Sequence, residues 1–315
     1  MAFSPYGTDL FGNPVGPSSP VGVVSQRFVF PPFSILDARQ GEWQDRKRAW
    51  IASGIKSEIG RSAPVYSNQR WYEEKKGGTI AAGDGTSIFD PVICELVYKW
   101  FSAAGGAILD PFAGGSVRGI VAAALGRKYT GIELRGEQAE ANRAQAAGMG
   151  LCPAPEWICG DSAVALAPGG PCAAGYDLVF SCPPYGDLEV YSDDPADLSA
   201  MGWDAFVGAY LAIIARAVAR LRDDRFACFV IGDFRDPRGI MRNFVGATVD
   251  AFARAGAALY NEAIIVTSVG SACMRVTKQF TVSRKLAKTH QNLLVFVKGD
   301  PRRAAAAAGT VEGGT

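Results

Sequence analysis

The chain has 315 residues, 48% hydrophobic and 20% charged, with a formal net charge of +1. That balance supplies a sizeable apolar core and excludes disorder over most of the length. No apolar run approaches the ~18 residues of a membrane span and the first residues lack a basic-then-apolar leader, so a cytoplasmic protein without a membrane partner is expected.

Cysteines stand at 94, 152, 159, 172, 182, 228 and 273 with no Cys-x-x-Cys pair, and His290 is the single histidine. This argues against a disulfide framework, a thiolate zinc site and a multi-histidine centre, so no metal is expected. Charge is segregated. Residues 263–298 carry Arg275, Lys278, Arg284, Lys285, Lys288 and Lys298 and no acid, whereas residues 173–215 carry seven acids and no Lys or Arg. Such a pattern suits a phosphate-facing edge beside an acidic working edge, or simply solvated faces.

Residues 1–28 are rich in Pro, Gly and Ser and are expected to form an extended arm. Trp43, Arg46, Lys47 and Trp50 then recur at helical spacing. The helix they predict carries Arg46, Lys47 and Arg48 either as snorkelling residues of a capping helix or on a phosphate backbone. Residues 61–85 are polar and loop-like. From Ser87 strands and helices alternate. Asp90-Pro91 opens a helix to Phe101. Strands are predicted at 107–110, 129–134, 157–159, 177–181, 226–232, 262–267 and 292–298, and helices at 116–125, after 134, at 206–221 and at 244–255. This alternation predicts an α/β protein with a doubly wound, mostly parallel sheet that binds ligands at the carboxyl ends of its strands. Residues 1–86 read as an N-terminal arm and helical extension, 87–300 as the working domain, and 301–315 as a flexible, low-complexity tail.

Asp110-Pro-Phe-Ala-Gly-Gly-Ser116 lies between a strand and a helix, where glycines let the backbone pass close to a ligand. It lacks the Gly-Lys-Ser/Thr of a phosphate loop. Glu133 ends the next strand, where an acid can accept from both hydroxyls of a ribose. Asp161 follows the third strand and can accept from an adenine amino group. Together these residues describe an adenosyl ligand with a cationic or zwitterionic tail.

The segment LDPFAGGSVRGIVAAALGRKYTGIEL resembles the cofactor motif of the S-adenosylmethionine-dependent DNA amino-methyltransferases, and SCPPY at 181–185 resembles their Asp/Asn/Ser-Pro-Pro-Tyr/Phe catalytic motif. The helix at 90–101 is similar to the family's tenth motif, which contributes to the methionine pocket, HQNLLVFVKG to its closing strand, and the N-terminal FSILDARQGEWQDRKRAW to its phage-borne members. The resemblance covers roughly residues 87–300. It implies a Rossmann-like methyltransferase fold with a terminal antiparallel strand, S-adenosylmethionine as cofactor, double-stranded DNA as partner, and a bacterial or phage-infected cytoplasm as location. It also implies Asp110, Phe112, Gly114, Gly115, Glu133, Asp161 and Ser181 as cofactor residues, Asp110 holding the methionine amino group. The chain departs from the family at Gly114-Gly115-Ser116, which stands where Gly-x-Gly is usual. A second departure is Cys182, which stands where Asp, Asn or Ser is usual.

In that family the motif's oxygen holds an exocyclic amine, the prolines present a backbone carbonyl, and the aromatic ring stacks on a flipped base. Sulfur is a weak acceptor. Cys182 therefore reads as a nucleophile for C5 methylation of cytosine, as a replacement in an N4-cytosine or N6-adenine enzyme, or as an inert thiol. With Cys182 go Pro183 and Pro184, Tyr185 as stacking platform, and Asp187 and Glu189 as the acid and base that C5 chemistry needs. Arg275, Lys278, Arg284, Lys285 and Lys288, expected in a hairpin or loop over the site rim, are the predicted DNA contacts. Asp193, Asp194 and Asp197 read as a solvated loop. An RNA methyltransferase and an inactive nucleic-acid binder are the competing classes.

Overall fold

The computed structural model describes residues 22–39, 41–56, 89–172, 175–186, 192, 194–270 and 272–311. In chain order the elements are α1 (Val23–Phe28), β1 (Ile35–Asp37), α2 (Gly41–Ala52), α3 (Pro91–Phe101), β2 (Ala107–Asp110), α4 (Val117–Ala124), β3 (Lys128–Glu133), α5 (Gly136–Gly148) and β4 (Glu156–Cys159). Then come α6 (Ser162–Ala165), β5 (Tyr176–Ser181), α7 (Trp203–Arg220), β6 (Leu221–Ile231), α8 (Phe244–Arg254), β7 (Ala258–Val266), α9 (Ala272–Ser283), β8 (His290–Lys298) and α10 (Pro301–Ala308).

Among the described residues these strands form one eight-stranded sheet in the order β1-β7-β8-β6-β5-β2-β3-β4. β8 runs antiparallel to β6 and β7, and the other pairings are parallel. The fold is thus the doubly wound, mostly parallel α/β sheet predicted, with its reversed strand last in the chain but inside the sheet. The chain steps outward from β2 through β3 to β4 and then returns to β5 on the other side of β2. That reversal opens a crevice at the carboxyl ends of β2 and β5.

Helices cover both faces of the central strands, which explains their continuous apolar runs. Along β5, Leu178 and Phe180 enter one core with Trp43, Trp50 and Tyr98, while Val179 enters the other with Tyr210, Phe229 and Phe252. The alternation is that of any strand, whose side chains point to opposite faces in turn. No helix among the described residues is long and apolar enough to cross a membrane.

The N-terminal residues depart from the sequence reading. Part of the expected arm, Val23–Phe28, is helical, and Ile35–Asp37 adds a parallel edge strand beside β7. Helix α2 packs on α3 with Trp43, Arg46 and Trp50 buried. Arg46, only 1% exposed, donates to Glu95 at 2.5 Å, and the Trp50 indole donates to the same carboxylate at 3.0 Å. Arg46 is therefore neither a snorkelling residue nor a phosphate contact. Arg48 pairs with Asp45.

The expected flexible tail is helical at Pro301–Ala308, capped by Asp300 through the amides of Arg302 and Arg303, with Ala304 and Ala308 buried. Alanine has the highest helix propensity, and its small side chain lets α10 lie close against β6. What reads as low complexity is here a docking helix. Of the segment 274–292, expected as a hairpin or loop, the part up to Ser283 belongs to the helix α9, and 284–289 is loop.

Candidate active site

β2 ends in Asp110, which is fully buried. Its Oδ1 accepts from the Phe112 amide at 3.1 Å and the Ser181 hydroxyl at 2.5 Å, and its Oδ2 accepts from Arg118 Nε at 2.5 Å and the Tyr129 hydroxyl at 2.7 Å. Arg118 donates onward to the carbonyls of Phe112 and Ala113 at 2.6 and 2.7 Å. Burial alone would weaken its proton affinity, but the charge of Asp110 holds the guanidinium firmly cationic. Burial, then the charge of Asp110, pushes the Tyr129 phenol far above its usual range, so it remains a donor. Asp110 and Ser181 consequently brace the loop from below and lie outside the wall of the pocket above it. Both were expected to hold the cofactor; here internal donors occupy the Asp110 carboxylate.

Above the loop lies a pocket of about 360 Å³, within the roughly 300–1,000 Å³ range of small-molecule sites. Phe112, Gly114 and Gly115 of the loop line it, with Glu133 from the end of β3 and Asp161 after β4. Gly114 has φ +54°, in the left-handed region that favours glycine. At Gly131 an added Cβ would come within 2.9 Å of Ala113 Cβ and 2.7 Å of the Tyr129 hydroxyl. That glycine in TGIEL lets the loop lie flat on β3.

Glu133 accepts the Arg135 amide at 3.0 Å and is also held by the Gly114 amide. Burial raises its carboxyl above the ordinary value, against these two hydrogen bonds. Asp161 accepts the Ala163 amide at 2.7 Å and so starts α6.

From β5 the chain delivers Cys182, Pro183, Pro184 and Tyr185 to the same pocket. Cys182 is half-buried against the α3 side of the core. The Tyr185 ring stands edge-on to Phe234, with centroids 6.1 Å apart and planes at 86°, and packs on Phe244. Its hydroxyl accepts from Gln291 Nε2 at 3.0 Å.

No known family matches the sequence, and no curated protein is similar to it. Among solved structures the chain is similar to TrmN from Thermus thermophilus at 16% identity and a TM-score of 0.44, over 67% of this chain and 49% of that one. The chain therefore spans about half of TrmN. It is also similar to a putative RNA methyltransferase, PH1948, from Pyrococcus horikoshii, at 14% identity and a TM-score of 0.42, over 66% of this chain and 84% of that one. A third is the magnesium protoporphyrin IX methyltransferase ChlM from Synechocystis PCC 6803 with bound SAH, at 11% identity and a TM-score of 0.44, over 69% and 90%.

Several pocket residues escaped the sequence reading. Gln291 reaches the pocket because β8 runs backwards, which brings its first residues to the edge where the parallel strands end. Lys47 and Asp90 reach it through the packing of α2 on α3. For Asp90 the resemblance of the helix at 90–101 to a methionine-pocket motif points here, whereas nothing local does so for Lys47. Asp197, expected in a solvated loop, is 5% exposed and also lines the pocket. It accepts from the amide and hydroxyl of Ser199 at 2.8 and 2.6 Å.

Asp187, Glu189 and Asp193 lie outside the described residues. Of the predicted DNA contacts, Arg275 falls in α9, and Lys278 and Arg284 are exposed. Lys285 lies over Gly239, and Lys288 over Gly232 next to Tyr185. Burial lowers the Lys288 pKa, against the opposing charge of Asp233.

Proposed function

We propose that the chain is an S-adenosylmethionine-dependent methyltransferase that acts on an everted base of double-stranded DNA, with cytosine C5 as target and Cys182 as nucleophile. One observation carries the reading: residues from the ends of four neighbouring strands, β5, β2, β3 and β4, wall a single pocket. The acids and glycines on one part of that wall suit an adenosyl group, and the Cys-Pro-Pro-Tyr turn stands on another. The volume, the close backbone at Gly114 and the carboxylates of Glu133 and Asp161 fit this cofactor, whose contribution is an electrophilic methyl group on sulfur. Glu133 would accept the ribose hydroxyls and Asp161 the adenine amine.

Tyr185, held on edge by Phe234 and Phe244, would stack on the base. The Cys182 thiolate would add to cytosine C6, forming a C–S bond and making C5 enamine-like while N3 takes a proton. C5 would then take the methyl group as its bond to the sulfonium sulfur breaks, and N3 would return its proton. Loss of the C5 proton to a base restores the double bond and expels the thiolate. Asp187 and Glu189 are the proposed acid and base. Lys278, Arg284, Lys285, Lys288 and Arg275 would meet phosphates.

A second reading, methylation of cytosine N4 or adenine N6, is favoured by Pro183-Pro184-Tyr185 following a sulfur that is half-buried at the pocket wall. Digestion of DNA treated in vitro and mass spectrometry of the nucleosides separates the two. 5-Methylcytosine that vanishes in Cys182→Ser is the expected result. N4-methylcytosine or N6-methyladenine would establish the second reading. Binding of cofactor and DNA without any methylated product would make the chain a nucleic-acid binder, and a preference for single-stranded RNA would move the substrate.

A further inference from the structure

Sulfur is a weak hydrogen-bond acceptor. Cys182 stands where the motif that SCPPY resembles carries an oxygen, so it leaves the exocyclic amine of an everted base without a strong side-chain acceptor. The pocket wall offers another. Gln291, the second residue of β8, lines the same pocket as Cys182 and Tyr185. It is half-buried beside its β7 partner Ile265, which also lines the pocket.

The Gln291 carboxamide is held at one end and open at the other. Its Nε2 donates to the Tyr185 hydroxyl at 3.0 Å, and the Tyr185 ring is itself fixed between Phe234 and Phe244. Among the described residues no donor meets Oε1, an amide oxygen with two lone pairs. Other oxygens on the wall are engaged. Asp197 accepts from Ser192 and Ser199, and Glu133 from the amides of Gly114 and Arg135.

We infer that Gln291 is a specificity-determining residue whose Oε1 accepts a hydrogen bond from the exocyclic amine of the everted base. It takes over the task that the Cys182 sulfur performs weakly. Cytosine and adenine present an amine at that position. Thymine and guanine present a carbonyl oxygen, which would set two acceptors against each other. This inference rests on the everted-base reading and holds for either target atom, because an amine that receives the methyl group still has a hydrogen to donate.

The test is methyl transfer from S-adenosylmethionine to duplex genomic DNA by the full chain and its Gln291 variants, read by mass spectrometry of the nucleosides. Gln291→Met, nearly isosteric but without the oxygen, is expected to lower the rate roughly 10- to 100-fold, and Gln291→Leu repeats the loss with a second apolar side chain. Gln291→Glu offers an acceptor oxygen in either protonation state and should restore most of the rate, although it cannot donate to Tyr185 as the amide does. Calorimetry without DNA should show S-adenosylhomocysteine binding unchanged in all three, and thermal melting verifies their fold. Equal loss in Gln291→Met and Gln291→Glu, or no loss in either apolar variant, would overturn the inference while leaving the everted-base reading in place. A loss no greater than that of Tyr185→Phe, which breaks the same hydrogen bond, would likewise overturn it and reduce Gln291 to a brace for the ring. If the unaltered chain yields no methylated base, the everted-base reading itself fails and the inference with it.

Discussion

The Asp110 carboxylate and the Arg118 guanidinium meet at 2.5 Å beneath the glycine loop, 0% and 6% exposed. Eight residues apart, they join the end of β2 to the first turn of α4, so the loop between them is closed by charge as well as by backbone. Removing one member of a buried pair strands the other, a loss of about 3–5 kcal/mol. Asp110→Ala is therefore expected to unfold at markedly lower denaturant, read by chemical denaturation. A residue that merely touched a ligand would lower cofactor affinity and leave the unfolding midpoint in place.

Arg46 tests the same physics on the N-terminal segment. Its pair with Glu95 is fully buried and shared with Trp50 and Lys99. Arg46→Ala should cost about 3–5 kcal/mol, and the double variant with Glu95→Ala should cost less than the sum, because the two changes remove one interaction. Equal stability with weaker DNA binding would instead make Arg46 a phosphate contact.

Glu133 gives the site a pH dependence. Burial raises its carboxyl, so the folded chain holds this proton more tightly than the unfolded chain does. Its contribution to stability is then full below the ordinary glutamate value and is lost as pH rises from that value through the raised one. Glu133→Gln should remove this slope and stabilise the chain at neutral pH. Cofactor affinity should run the other way, since the carboxylate is the better acceptor for hydroxyls. Calorimetry between about pH 4 and 8 should show S-adenosylhomocysteine binding weaken toward acid in the unaltered chain and stay flat in Glu133→Gln.

Tyr185 separates ring from hydroxyl. Tyr185→Phe loses the hydrogen bond from Gln291, worth about 1 kcal/mol, and should retain methyl transfer because the ring still stands against Phe234. Tyr185→Ala should abolish transfer while S-adenosylhomocysteine still binds. Transfer that survives in Tyr185→Ala would exclude the ring as the stacking platform.

Lys278 and Arg284 are exposed. If they meet phosphates, neutralising each should lower the slope of log K against log salt by about 0.9 on duplex DNA. An unchanged slope would assign them to solvent.

The sequence by itself determined the succession of strands and helices, the glycine loop, and the positions of Glu133, Asp161 and Cys182 at strand ends. Each of these is written in local terms: apolar period, turn chemistry, and a polar residue where an apolar run stops. Tertiary packing decided which polar groups face the pocket. Asp110 and Asp90 look alike in the sequence, each an acid followed by proline, yet the first is enclosed by Ser181, Tyr129 and Arg118 and the second stands at the pocket wall beside Lys47. The partners that separate them come from residues up to 71 positions away, and the arrival of Gln291 depends on a strand that runs backwards between two others. Local periodicity carries no information about such contacts, because they exist only once the sheet has closed and its two faces are covered.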